Sequence, residues 1–269
     1  MKKAAGDVMD HPSFLRGFII LLLIALSVGD LSSQQFNSDS WLSKPHGMMT
    51  IIPTWGERSS MLMNTVSLFP RWEFTIAAYL YNNDKDKGTD DGYSTSLYAK
   101  YMFYENKTKT GGAAIKGGTG MFPGTLDQDI REKDALKTFW VNTPVTIPFL
   151  DNKLSWDLMP GASVTRNINE EKVSGWAFTY STRLAYNPWG PKFSIVGEVF
   201  GSEGATGTIP EFKFGPRYDL SQYATFALTY GQEFGGNNGA GFELGVMLFT
   251  PPFAKISQVG KENKNAPKQ

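Results

Sequence analysis

The feature that most constrains this chain is a two-residue alternation whose polar face carries full charges. In "GFELGVMLF", residues 241–249, Phe242, Leu244, Val246 and Leu248 share one side, and Gly241, Glu243, Gly245 and Met247 share the other. A helix gathers residues three and four apart, so a strict period of two describes a strand with two unlike faces. The pattern recurs. In "WEFTIAAYLY", Trp72, Phe74, Ile76, Ala78 and Leu80 oppose Glu73, Thr75, Ala77, Tyr79 and Tyr81. In "WAFTYSTRLAY" the aromatic side opposes Arg183, and in "FKFGPRYDL" Phe212 and Phe214 oppose Lys213, Gly215 and Arg217.

Such segments, separated by polar or Pro/Gly punctuation, read as about twelve strands near residues 47–56, 60–69, 72–82, 92–105, 110–123, 136–150, 153–166, 173–187, 191–202, 207–220, 222–234 and 240–250. From residue 69 onward the connections alternate in size. "PR", "LDN", "PWGP" and "LSQ" are compact, while "NNDKDKGTDDG", "GTLDQDIREKDAL", "GSEGATG" and "GGNNGAG" are roomy; "ENKTKT" and "NINEEK" fall between. An up-and-down barrel with tight turns at one end and long loops at the other produces this asymmetry.

Two architectures fit, and their faces mean opposite things. A soluble sandwich or lipocalin-like barrel turns the apolar face inward. An outer-membrane barrel turns it to lipid and lines its lumen with the charges. Three features favour the second. Many strands reach the roughly 9–11 residues needed to cross hydrocarbon at a tilt. Trp55, Trp72, Tyr81, Tyr93 and Trp189 sit toward strand ends, as interfacial girdles require. A closed hairpin series also pairs every backbone group in lipid. The expected fold class is therefore all-β: an up-and-down antiparallel transmembrane β-barrel of about twelve strands, preceded by a signal peptide.

That signal rests on Lys2, Lys3 and Arg16 ahead of the apolar run "GFIILLLIALSVG", with cleavage expected after Gly29 or, alternatively, Ser33. The expected organisation is a signal at 1–29, an N-terminal periplasmic segment at 30–46, the barrel at 47–253 and a disordered periplasmic tail at 254–269. Pro251 and Pro252 should stop the last strand. Lys and Arg together equal Asp and Glu at 26 each, so no charge excess points to nucleic acid. Cysteine is absent, which excludes disulfides, thiolate metal sites, a thiol nucleophile and a lipid-modified N-terminal cysteine.

The C-terminal third, "PEFKFGPRYDLSQYATFALTYGQEFGGNNGAGFELGVMLF", resembles the closing hairpins of outer-membrane transporters grouped as the MetA-pathway of phenol degradation family. The residues that carry the likeness are Gly215, Arg217, Tyr218, Asp219, Leu220, Thr225, Leu228, Tyr230, Gly231, Gly241, Leu244, Gly245 and Val246. "SLFPRWE" is similar to an early hairpin that in the family reads "G-L-T-D-R-x-E". The resemblance implies an outer-membrane channel or transporter, and the family's name points to an aromatic permeant.

Chemistry motifs are sparse. His46 is the one histidine beyond the signal, and it precedes the first strand, so neither a serine–histidine hydrolase nor a histidine metal set can be built, and no catalytic residue, cofactor or enzyme activity is expected. "GGAAIKGGTGMFPG" lacks the order of a phosphate loop and reads as a flexible strand. Asp84, Asp86, Asp90 and Asp91 offer calcium-type oxygens but miss EF-hand spacing, so a solvated outer loop is the better reading. The same holds for Asp127, Asp129, Glu132 and Asp134.

The candidate site is the lumen. Alternation assigns Glu73, Lys100, Asp157, Arg183, Glu198, Glu211, Lys213, Arg217, Glu233 and Glu243 to it, either as a field that selects permeants or as ladders that brace the wall. The expected function is passive uptake of small molecules, aromatic or hydrophobic ones if the family's name is followed, through this lumen. The alternative is a non-conducting structural or surface-interaction barrel with acidic outer loops. Outer-membrane lipid and lipopolysaccharide, a small-molecule permeant and the barrel assembly machinery are the expected partners, and the bacterial outer membrane the expected location.

Overall fold

The computed structural model describes residues 39–40, 46–81, 92–120, 137–167, 172–205, 207–235 and 239–253. Its strand segments are β1 (Met49–Gly56), β2 (Ser59–Phe69), β3 (Trp72–Tyr81), β4 (Gly92–Glu105), β5 (Gly112–Gly120), β6 (Thr138–Asn142), β7 (Val145–Phe149), β8 (Leu154–Leu158), β9 (Gly161–Asn167), β10 (Lys172–Tyr186), β11 (Phe193–Gly204), β12 (Thr208–Ser221), β13 (Ala224–Glu233) and β14 (Gly241–Phe249). Each pairs antiparallel with its neighbours, and β14 returns to β1 with Thr54 opposite Gly245 and Thr50 opposite Phe249. The sheet is thereby closed, so no edge strand is left unpaired.

These fourteen segments make a twelve-stranded barrel, because two strands are each interrupted once. The stretches 136–150 and 153–166, expected as continuous strands, break at Thr143–Pro144 and at Met159–Pro160. Proline has no N–H to give a ladder. The carbonyls at the breaks are still used: Thr143 N donates to Pro160 O at 2.9 Å and Ala114 N to Pro144 O at 2.9 Å. Met159 and Ser181 exchange bonds of 2.8 and 3.3 Å across the second break. The wall is notched there, and its strand order is unchanged.

Chain direction defines two ends, a base where β1 starts and β14 stops, and a rim opposite. Base turns are tight. Pro70 and Arg71 join β2 to β3, Arg71 having the positive φ of 68° that the third position of a type II turn requires. Gln222 and Tyr223 join β12 to β13. At the rim, Glu57 and Arg58 join β1 to β2 in a two-residue turn and residues 205–207 join β11 to β12. β14 ends at Phe249, directly before Thr250, Pro251 and Pro252, and Thr250 N donates to Met49 O at 2.9 Å. The signal, the acidic stretches with Asp84, Asp86, Asp90, Asp91, Asp127, Asp129, Glu132 and Asp134, and the tail 254–269 lie outside the described residues.

The barrel is inverted relative to a soluble protein. Ile76, Leu80, Leu97, Phe139, Trp176, Phe178, Leu184, Phe214, Leu228, Phe242 and Leu244 are exposed on the outside. Glu73, Lys100, Lys116, Asp157, Arg183 and Glu243 are buried inside. A contiguous apolar exterior is untenable in water and matched to hydrocarbon. Aromatics concentrate at both ends: Phe69, Trp72, Phe74 and Tyr101 form a group of touching rings at the base, with Trp72 stacked on Phe74 and Trp72 and Tyr101 centroids 4.8 Å apart, and Tyr230 meets Phe242 at 5.0 Å near the rim.

Candidate functional site: the barrel interior

Of the ten charged residues that alternation turns inward, Glu73, Lys100, Asp157, Arg183, Glu198, Glu211, Lys213, Arg217 and Glu243 are buried, and Glu233 is half-buried beside the rim. Taking a charge out of water costs several kcal/mol unless it is paired, so the useful question is how each is compensated.

On the wall from β8 to β14 each cation has a carboxylate of the barrel strands beside it. Arg183 donates from Nη2 and Nε to Asp157 Oδ2 at 2.6 and 2.8 Å, and Thr146 donates to the other oxygen of the same carboxylate. Strand register sets Arg183 between Asp157 on β8 and Glu198 on β11, and Glu198 opposite Lys213 on β12. Lys213 reaches Glu243 on β14 at 2.6 Å. Arg217 Nε lies 3.7 Å from Asp219, whose carboxylate also accepts from Thr225 at 2.8 Å. Glu211 and Glu233 are register partners near the rim, a like-charge juxtaposition.

The wall from β3 to β6 is built differently. Glu73, Lys100 and Lys116 stand side by side, because Glu73 pairs in register with Lys100 and Lys100 with Lys116. Glu73 meets Lys100 at 2.7 Å. Two cations thus face one carboxylate of the wall. The second carboxylate comes from outside the barrel strands: Asp39 places Oδ1 3.1 Å from Lys100 and Oδ2 3.2 Å from Lys116. The Ser40 carbonyl adds a contact of 3.4 Å to Lys100. Burial opposes the charge on Asp39, but the two ammoniums outweigh it and hold the carboxyl below its ordinary 3.8, at about 2. Asp39 belongs to the segment 30–46, of which residues 39–40 and 46 are described, and its side chain lies against two lysines of the barrel's inner face.

Beside the lysines lies an apolar inner surface. The Tyr98 and Trp140 rings meet at 5.2 Å, tilted by 57°, on either side of Gly118, which stands between them in register; a side chain at 118 would collide with Leu97 O and Tyr98 Cβ. Lys116 Nζ lies 4.7 Å from the Tyr98 ring centre and 5.7 Å from that of Trp140. Met159 completes the same buried cluster, and Tyr98 Oη donates to Met63 Sδ at 3.4 Å. Asn142, register partner of Lys116, is buried with neither side-chain polar atom hydrogen-bonded among the described residues.

Asp39, Lys116 and the Tyr98–Trp140 pair were not singled out from the sequence. Lys116 had a usable signal: it shares a face with Ala114 and Gly118 inside the glycine-rich stretch 111–120. Asp39 had none, since no period runs through its segment.

No protein-family model matches the chain, and no curated protein does. Solved structures do. An outer membrane channel from Pseudomonas putida F1 aligns with a TM-score of 0.51 at 11% identity, over 82% of this chain and 99% of that one. The chain folds as an outer-membrane-type barrel. The NanC porin aligns at TM-score 0.49 and 8% identity, and the KdgM porin in complex with disordered oligogalacturonate at 0.46 and 11%; each alignment covers 75% of this chain and 98% of the porin. At such identities the likeness is one of fold.

Proposed function

We propose that this protein is an outer-membrane channel for small molecules, with Asp39 held inside it against Lys100 and Lys116. The observation that carries the reading is the inversion of the barrel, with lipid-compatible side chains outside and paired charges within. The base then faces the periplasm, and the rim loops face outward toward lipopolysaccharide. The assembly machinery that inserts such barrels is the partner this location requires. The likeness to the MetA-pathway family fits the structure at one telling point: at Gly215 a side chain would run into Leu228 O, so the first glycine of "G-x-R-Y-D-L" keeps β12 against β13. Catalysis is no part of the proposal.

A second reading has its own support. The inward charges are buried, so at their level the interior is packed with side chains, as a bracing, non-conducting barrel would have it. Planar-bilayer recording of the refolded chain separates the two. A channel closed by Asp39 gives discrete current steps that become more frequent in Asp39→Asn. A folded barrel, verified by its heat-modifiable gel shift, that carries no current in either form is structural.

A further inference from the structure

We infer that Lys100 and Lys116, with the Tyr98–Trp140 surface beside them, form a binding site for a small organic monocarboxylate with a flat, apolar body, and that Asp39 occupies this site in the permeant's stead. The inference rests on the channel reading and names the permeant class.

The first support is charge. Two lysines opposed across a strand pair repel each other, and Glu73 neutralises only one of them. One carboxylate completes the balance, and Asp39 shows how it sits, one oxygen on each ammonium at 3.1 and 3.2 Å. The wall thus presents an anion cradle whose occupant, Asp39, belongs to none of the barrel strands. A dianion would overfill it, and a neutral molecule would leave the second lysine buried and unbalanced.

The second support is the surroundings. The buried Tyr98, Trp140 and Met159 side chains make the surroundings directly beside Lys116 apolar, and Asp39 brings only a single methylene to them. A planar apolar body attached to the carboxylate would lie along the rings. The third is the Asn142 amide: buried opposite Lys116 and without a hydrogen bond among the described residues, it has donors that a carboxylate ligand would satisfy.

The test uses calorimetric titration of the full chain, refolded in detergent, with benzoate, acetate and benzyl alcohol, and bilayer conductance recorded on the same preparations. Benzoate is expected to bind more tightly than acetate, and benzyl alcohol not to bind. Asp39→Asn removes the internal competitor and should tighten benzoate roughly 10-fold or more. Lys116→Met should weaken it ~10- to 100-fold, the loss of a charge-assisted contact. Lys116→Arg should restore most of it, which guards against a folding defect. Equal benzoate affinity in the natural chain, Asp39→Asn and Lys116→Met overturns the inference, as does benzyl alcohol binding as well as benzoate. The channel reading is judged separately. Current steps in Asp39→Asn without a benzoate effect leave the channel and remove the site; benzoate binding in a barrel that never conducts leaves the site and removes the channel.

Discussion

The two inner walls solve the same problem in opposite ways. Between β8 and β14, the cations Arg183 and Lys213 have carboxylate partners on the strands themselves, Asp157 and Glu243. Between β3 and β6, Lys100 and Lys116 outnumber Glu73 and are completed by Asp39 from a segment that belongs to no strand. A wall that balances itself is a brace, because removing any member strands a charge in a buried place. A wall completed by a carboxylate from outside its strands is a seat, because an anion or water can compensate the lysines when that carboxylate is away. The difference lies in which part of the chain supplies the counter-charge, and each kind of wall answers differently to substitution.

The largest effect is expected on the brace. Arg183→Leu leaves Asp157 buried without its cation and exposes Glu198 to the same loss, so the barrel should lose about 3–5 kcal/mol of stability, read as a lowered urea midpoint for folding into lipid vesicles. Lys116→Met should cost much less in the same assay, since Asp39 keeps Lys100 as its cation. Equal losses would erase the distinction between brace and seat. Next come charges placed on the outside at mid-strand: Leu97→Arg behind the seat and Leu228→Arg behind the brace, positions 58% and 50% exposed, should each cost roughly 2–4 kcal/mol. Similar values for the two would place the asymmetry in the interior alone. A third effect is functional: Asp39→Asn should raise open probability by ~10-fold or more in single-channel records, the loss of a charge-assisted pair, while leaving the urea midpoint nearly unchanged.

The parts of this molecule that depend on a local period were legible in the sequence. Glu243 between Phe242 and Leu244, or Arg183 between Thr182 and Leu184, declares its face without knowledge of any partner strand. The interruptions at Pro144 and Pro160 could have been read from proline chemistry, but long apolar alternation on either side masked them. What the period does not carry is register. That Lys100 stands opposite Lys116, and that Gly118 separates Tyr98 from Trp140, follows from how β4 and β5 slide against each other and where β6 lands after the long connection 121–136. Asp39 was beyond reach for a further reason: its partners are two lysines far along the chain.

The smallest expected effect is on pH, and it tests the seat most directly. The two ammoniums hold the Asp39 carboxyl at about 2, below its ordinary 3.8, so the charged form is the one the barrel favours. Seating is therefore fully present above about pH 4 and weakens only as pH falls through the window from 3.8 toward 2. Open probability should stay flat from neutral pH down to about 4 and begin to rise below it. Asp39→Asn, with nothing to protonate at that position, should show no such rise. A channel that opens between pH 5 and 7, or a variant that titrates as the natural chain does, would mean that some group other than Asp39 controls the closed state, and that the counter-charge on the β3–β6 wall is incidental to gating.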